Sequence, residues 1–286
     1  MRSELLRIAE MTIALRCDDP RIDWQWHPAT RRFLVTDAEP DVDLVVRAAD
    51  RIPASMGELL FDSGAVWKLF RDGDGFRIEC HAPVFANNPY KAARFDASFT
   101  HGEILLTQPV WHLGPLDFPL DELLIMHLLG RGRGVEFHSC GIIDHDGRGH
   151  LFVGMSGAGK TTTARLWGSA ASAIVSDDRV IVREQEGAMR MFGTPWHGEA
   201  ELSLPDSAPL TGVYLLTQSS SNEIRALSHP EAVARMFGCV FPPFHDAEAV
   251  EFTLAFLDKL ARQVPVRELA FTRDASVVDL VLAEAA

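Results

Sequence analysis

The chain has 286 residues, 47% of them hydrophobic and 23% charged, with a formal net charge of −13. That length allows one large domain or two small ones, each with a real core. The negative balance argues against a nucleic-acid partner, because a phosphate backbone selects basic surfaces. Cys17, Cys80, Cys140 and Cys239 are far apart and form no C-x-x-C pair. Neither a zinc site nor a disulfide framework is expected, and free thiols point to a reducing cytoplasm. Glu4, Arg7 and Glu10 interrupt any apolar N-terminal run, so no signal peptide is expected. The longest apolar uncharged run, Ile104 to Leu116, is too short to span a bilayer, and no membrane partner is expected.

Residues 1–110 read as a β-rich region, with candidate strands at Arg32–Thr36, Val42–Ala48, Val66–Phe70, Phe76–Cys80 and Glu103–Thr107. Arg71-Asp-Gly-Asp-Gly75 is a hairpin signal. It resembles part of a calcium loop but lacks the remaining ligands and the closing Glu, so a plain turn is expected. Pro115 to Pro119 opens a helix on which Leu120, Leu123, Leu124, His127 and Leu128 share a side. His127 there reads as packed or capping. Gly130, Gly132 and Gly134 end the helix, and Arg131 and Arg133 read as solvated loop arginines.

Residues 111–286 carry an α/β pattern. Val135–His138 and Gly141–Asp144 read as strand segments, Asp146-Gly147 as a turn, and His150–Gly154 as a buried strand. Helical residues follow to about Trp167. Further strands are expected at Ala173–Val175, Val180–Arg183, Met189–Phe192, Gly212–Thr217, Glu223–Ala226 and Val266–Phe271, with a hairpin turn at Glu186-Gly187. Pro230–Phe237 and Glu248–Gln263 read as helices, and Asp274 caps a last one.

The most specific motif is Gly154-Met-Ser-Gly-Ala-Gly-Lys-Thr161, which fits G-x-x-x-x-G-K-[ST]. Glycines at 154, 157 and 159 let the backbone turn tightly with its N–H groups pointing inward, which suits polyphosphate oxygens. The backbone of Gly154, Ser156, Gly157, Ala158, Gly159, Lys160, Thr161 and Thr162 is therefore the expected binding segment. Lys160 reaches the β- and γ-phosphates in such a loop, and Thr161 offers its hydroxyl to Mg²⁺. The N-terminus of the following helix adds partial positive charge.

Asp177-Asp178 follows an apolar strand, so it belongs at a strand end, where ligands bind in open α/β sheets. One carboxylate there can hold Mg²⁺, and the other can accept a proton from an attacking hydroxyl. Neighbouring side chains of an extended chain point in different directions, which lets the two divide those tasks. The chain has no Asn-Lys-x-Asp guanine-recognition motif and no Leu-Ser-Gly-Gly-Gln transporter signature.

His138, the Gly154–Thr162 loop and Ile174-Val-Ser-Asp-Asp178, in that order, resemble the HPr kinase/phosphorylase family. The stretch from Val264 to Val278 is similar to the tail of the looser HprK-related kinases of bacterial biosynthetic clusters, some of which phosphorylate a serine near a peptide's end. The resemblance covers residues 135 to 280. It implies an ATP-binding kinase core of the HPr kinase/phosphoenolpyruvate carboxykinase-like type, with a mixed sheet, preceded by the β-rich region. It further implies Lys160 on the phosphates, Thr161 on Mg²⁺, Asp178 as general base, Asp177 near the metal and His138 close to the phosphates. The family's closing acidic-arginine motif has no clean match. Gly193-Thr-Pro-Trp-His-Gly-Glu199 lies in about that place, which makes Glu199 a candidate metal contact and Trp196 and His197 candidate substrate neighbours. The expected activity is ATP- and Mg²⁺-dependent transfer to a Ser or Thr hydroxyl of a peptide or protein. Two alternatives stay open: a nucleotide-binding accessory module without transfer, and a small-metabolite kinase. The family's hexameric members make a homo-oligomer plausible.

Overall fold

The structure, a computed structural model, describes residues 2–64, 66–85, 88–108 and 110–284. Pro109, inside the apolar run Ile104 to Leu116, lies outside them. The chain divides into two compact units, Met1–Leu128 and Leu129–Ala286. The boundary falls after the leucine-rich helix, not at residue 110, because that helix is packed into the first unit. Its His127 is buried, stacks on Phe99 with ring centroids 4.3 Å apart, and places Nδ1 2.6 Å from Leu123 O. Among the described residues, no helix is long and apolar enough to cross a membrane.

The first unit is one nine-stranded sheet: β1 (Arg2–Ile8), β2 (Met11–Cys17), β3 (Leu34–Val35), β4 (Val42–Ala48), β5 (Glu58–Asp62), β6 (Trp67–Asp72), β7 (Gly75–Cys80), β8 (Lys91–Phe95) and β9 (His101–Leu106), in spatial order β3-β1-β2-β4-β9-β8-β7-β6-β5. The pairs β2–β4 and β4–β9 are parallel. Helices α1 (Pro28–Arg31) and α2 (Leu120–Leu128) belong to this unit. The β1–β2 hairpin escapes a sequence reading because its turn uses Ala9 and Glu10, at φ 48° and 59°, where glycine or asparagine is the usual signal. The strand expected over 32–36 shrinks to β3, because Pro28 starts a short helix immediately before it. The Arg71–Gly75 segment is a plain hairpin turn, with Asp72 paired to Gly75.

The second unit is α/β with a mixed sheet. Two long strands, β10 (Val135–Asp144) and β15 (Ser207–Gln218), each change partners along their length. The start of β10 pairs with β13 (Arg179–Gln185), and its remainder pairs with β11 (Gly149–Val153) and β12 (Ala171–Ser176). The start of β15 pairs with β14 (Ala188–Phe192), and its remainder runs parallel to both β11 and β17 (Val266–Phe271). Pairings β10–β13–β14–β15–β11–β10 close a ring, and β16 (Glu223–Ala226) pairs with β17.

The two strand segments expected over 135–144 are one strand. Gly141 does not break it: a Cβ there would lie 2.7 Å from Val175 Cγ2, so glycine permits close strand packing. β15 begins at Ser207, earlier than expected, because Pro209 sits within it and masks the strand pattern.

Helices α3 (Lys160–Trp167), α4 (His229–Phe237), α5 (Ala247–Gln263) and α6 (Ser276–Glu284) complete this unit. Leu151, Val153, Val213 and Leu215 join a core with Met236, Leu257 and Leu260 of α4 and α5. Their strand neighbours Phe152, Tyr214 and Leu216 join another with Trp167, Val277 and Val281 of α3 and α6. Alternate side chains of the same strands thus bury both sheet faces, which accounts for the unbroken apolar runs.

Candidate functional site

The parallel strands β11, β15 and β17 end at Val153, Gln218 and Phe271. Open α/β sheets bind ligands at such carboxyl ends. Residues 154–159 leave β11 there and enter α3. The loop is tied to the strands beside it: Gly154 N–H donates to His138 O at 3.3 Å, and Gln218 Nε2 donates to Gly157 O at 2.7 Å. Its glycines have separate reasons. A Cβ on Gly154 would sit 2.6 Å from Ala158 Cβ, and one on Gly159 would sit 2.5 Å from Phe271 Cζ. Gly157 and Gly159 also lie at φ 82° and 113°, which L side chains rarely adopt. The turn is therefore held in shape from below by Phe271, while Ser156 and Gly157 remain exposed.

Lys160 opens α3 and is 7% exposed. Its Nζ donates to Gly154 O at 3.0 Å and Met155 O at 3.3 Å. An ammonium has three protons, so one is left for a ligand. Burial pulls its pKa down, and the nearby Asp178 carboxylate partly opposes that. Thr161 and Thr162 follow, half-buried, with Thr163 turned back so that its Oγ1 donates to Gly159 O at 3.1 Å.

The two adjacent aspartates have different surroundings. Ser176 ends β12, and its Oγ accepts from the N–H groups of Asp178 and Arg179, which folds the turn into β13. Asp177 is 1% exposed, and its carboxylate accepts from Gly198 N–H at 2.9 Å and Ala200 N–H at 3.0 Å. It anchors the 193–200 segment to the strand end. Asp178 is half-buried. Its Oδ1 lies 3.0 Å from His138 Nε2, and its Oδ2 accepts from Arg179 Nη1 at 2.6 Å. Burial pushes its pKa up, but the His138 hydrogen bond and the charges of Arg179 and Lys160 outweigh this and hold the carboxyl below its ordinary value. Asp178 is therefore ionised at neutral pH.

The 193–200 segment is secured further by Thr194 Oγ1, which donates to Arg179 O, and by Ser176 Oγ, which donates to Trp196 O. Glu199 sits on it with an exposed side chain. Trp196 and His197 are half-buried; neither is among the residues lining the cavity described next.

These pieces surround one cavity of ≈ 380 Å³. It brings together His138, Ser156, Gly157, Gly159, Lys160, Thr161, Thr162, Asp177, Asp178 and Glu199. Gly154 and Ala158 lie beneath the loop instead of on the wall. Three contributors escape a motif search. Arg179 grips Asp178, reaches Glu136 with Nε 3.3 Å from Oε1, and lies 4.2 Å above the Phe241 ring. Gln218 holds the loop. Arg273 reaches the cavity from beyond β17. The one available signal for Arg179 is its place directly after the aspartate pair; nothing local marks the other two.

The donor set fits a polyphosphate: a glycine turn at a helix N-terminus, with a lysine proton to spare. It does not form a metal cage. Among the described residues, no group of three His, Cys, Asp or Glu side chains is placed to hold a metal. Mg²⁺ commonly takes only one or two protein ligands beside phosphate oxygens and water, so the Thr161 hydroxyl and the exposed Glu199 suit a metal that arrives with a nucleotide.

No protein-family model matches the chain. No curated protein matches it either. Among solved structures it is similar to the HPr(Ser) kinase/phosphatase from Coxiella burnetii, at 11% identity and a TM-score of 0.24, over 44% of this chain and 92% of that one. A likeness at that level assigns neither residue roles nor an activity.

Proposed function

We propose that the second unit is an ATP- and Mg²⁺-dependent kinase, of the HPr-kinase-like type with a phosphate-loop core, that transfers the γ-phosphate to a Ser or Thr hydroxyl of a peptide or protein. One observation carries the reading: the glycine loop, a lysine with a free ammonium proton and an ionised aspartate line the same cavity. A nucleotide site alone does not need the aspartate; phosphoryl transfer to a hydroxyl does.

In this reading Gly157 to Thr162 hold the phosphates, and Lys160 offsets the charge that develops on the transferred group. Thr161 and Glu199 hold Mg²⁺, which supplies charge neutralisation at the phosphates when bound. Asp177 supports the metal side indirectly by fixing the segment that carries Glu199. The acceptor hydroxyl oxygen forms the new P–O bond as the bond to ADP breaks, and Asp178 takes the hydroxyl proton. His138 and Arg179 fix the Asp178 carboxylate on the cavity wall.

A second reading, a nucleotide-binding module without transfer, has one observation in its favour. Both oxygens of Asp178 are already engaged, so proton acceptance competes with His138 or Arg179. Incubation with γ-labelled ATP, Mg²⁺ and lysate or co-encoded peptides separates the two. The kinase labels an acceptor with wild type and not with Lys160→Ala, and mass spectrometry places the phosphate on Ser or Thr. Nucleotide binding that Lys160→Ala abolishes, without any labelled acceptor, establishes the module. A labelled small molecule establishes a metabolite kinase.

A further inference from the structure

The cavity has a second cation that the motif does not include. Arg273 lies on its wall, and its side chain is exposed. Among the described residues, no carboxylate, carbonyl or hydroxyl holds its guanidinium. This sets it apart from its cationic neighbours. Arg179 is committed to Asp178 and Glu136, and Lys160 spends two of its protons on loop carbonyls.

The backbone around Arg273 is not loose. Thr272 N–H donates to Asn222 Oδ1 at 2.8 Å, and Asn222 Nδ2 donates to Ser276 Oγ at 2.8 Å. Asp274 accepts from Ser276 N–H at 2.9 Å at the start of α6. Phe271, two residues earlier, fills the space beneath Gly159. The main chain that carries Arg273 is therefore referenced directly to the glycine loop. A fixed backbone with an uncommitted guanidinium is suited to closing on a ligand, because little of its ordering cost falls on the main chain.

The ligand chemistry follows from the walls. A planar guanidinium pairs with carboxylate or phosphate oxygens, bidentately where it can. The cavity's aspartates are taken, Asp177 by two backbone N–H groups and Asp178 by His138 and Arg179. Glu199 is the remaining carboxylate on the wall, and no ion pair joins it to Arg273. We infer that Arg273 is a second phosphate-binding cation, which closes over the polyphosphate of a nucleoside triphosphate held by the glycine loop and Lys160. The inference rests on the nucleotide reading of this site and adds a residue to it.

The test is binding of MgATP, MgADP and adenosine to the full chain by calorimetry, comparing wild type with Lys160→Ala, Arg273→Ala, Arg273→Lys and Glu199→Gln. A charge-assisted contact of this kind predicts that Arg273→Ala weakens MgATP by roughly ten- to a hundredfold. Arg273→Lys should recover part of the loss, and adenosine should bind all variants alike. MgATP affinity unchanged in Arg273→Ala, with Lys160→Ala defective, overturns the inference and leaves the nucleotide reading standing. An equal loss of adenosine binding overturns it too, since the contact is then to the nucleoside. A MgATP loss in Glu199→Gln that matches Arg273→Ala, and does not add to it in the double variant, assigns Arg273 to Glu199 instead. Wild type that binds no nucleotide removes both the reading and the inference. Arg273 is exposed, so its variants should fold, and circular dichroism with thermal melting checks this.

Discussion

Each unit buries a lysine against two backbone carbonyls, and the two have opposite meanings. Lys91 on β8 is 2% exposed, and its Nζ donates to Gly114 O at 3.3 Å and Asp117 O at 3.2 Å. Lys160 is 7% exposed and donates to Gly154 O and Met155 O at 3.0 and 3.3 Å. Lys91 closes a chain segment onto its sheet. Close by on the same sheet, Arg77 and Glu79, 4% and 2% exposed, pair at 2.8 Å, and Glu79 also accepts from Ser55 N–H. These charges of the first unit find their partners within its own chain, although Arg77 Nε is left without one among the described residues. In the second unit Lys160 lines a cavity with Asp178 and Arg273. Burial and hydrogen-bond count do not separate a structural lysine from a functional one. What its remaining proton faces does.

Exchanging the lysines tests that contrast most severely. Lys160→Ala is expected to weaken MgATP binding by at least about a hundredfold, since it removes a charge-assisted phosphate contact. It also leaves Gly154 O and Met155 O short of a donor, so a lower melting temperature is expected beside the loss of binding. Asp178→Asn should keep MgATP binding and lower phosphate transfer by about 10²–10⁴-fold, the usual worth of a general base. Transfer that survives Asp178→Asn undiminished would make the base assignment wrong.

Lys91→Met should lower stability alone. It leaves two buried carbonyls short of a donor and is expected to cost about 2–4 kcal/mol of stability, read by chemical denaturation. Its MgATP affinity should match wild type. Gly159→Ala has a smaller stability effect, about 1–3 kcal/mol, from a left-handed backbone position and the contact with Phe271. It should weaken nucleotide binding as well, because the turn it distorts is the proposed binding loop.

The smallest effect is on pH dependence. The Asp178 carboxyl is held below its ordinary value of 3.8, so its contribution to stability is present above that pH and is lost as pH falls through the lowered value. Denaturation of wild type and Asp178→Asn should therefore differ above about pH 4 and converge in stronger acid. Curves that stay parallel throughout would show that the His138 and Arg179 contacts do not hold in solution.

Much of the second unit is readable in the chain because its strands are buried on both faces and its turns carry their usual signals. Gly147 and Gly187 adopt positive φ at the turns expected of them, as Gly73 does at the one glycine turn expected in the first unit. The first unit is less legible. Its opening hairpin turns on Ala9-Glu10, and β7 carries Arg77 and Glu79 on one side and Phe76, Ile78 and Cys80 on the other, all buried. The position of α2 in the first unit also follows from packing, since its leucines look the same in either unit.

By itself the sequence determined the local chemistry: a glycine turn at a strand end, Lys160 and Thr161 at the start of a helix, and His138 and Asp177-Asp178 around it. Those features are set by residues close together in the chain. The tertiary structure decided what each charge does. It divided the aspartates, placing Asp177 under the Gly198 and Ala200 amides and Asp178 against His138 and Arg179. It also brought Arg273 to the cavity wall. A carboxylate's partners come from strands and loops remote in sequence, and a hydrophobic pattern carries no record of which of them arrive.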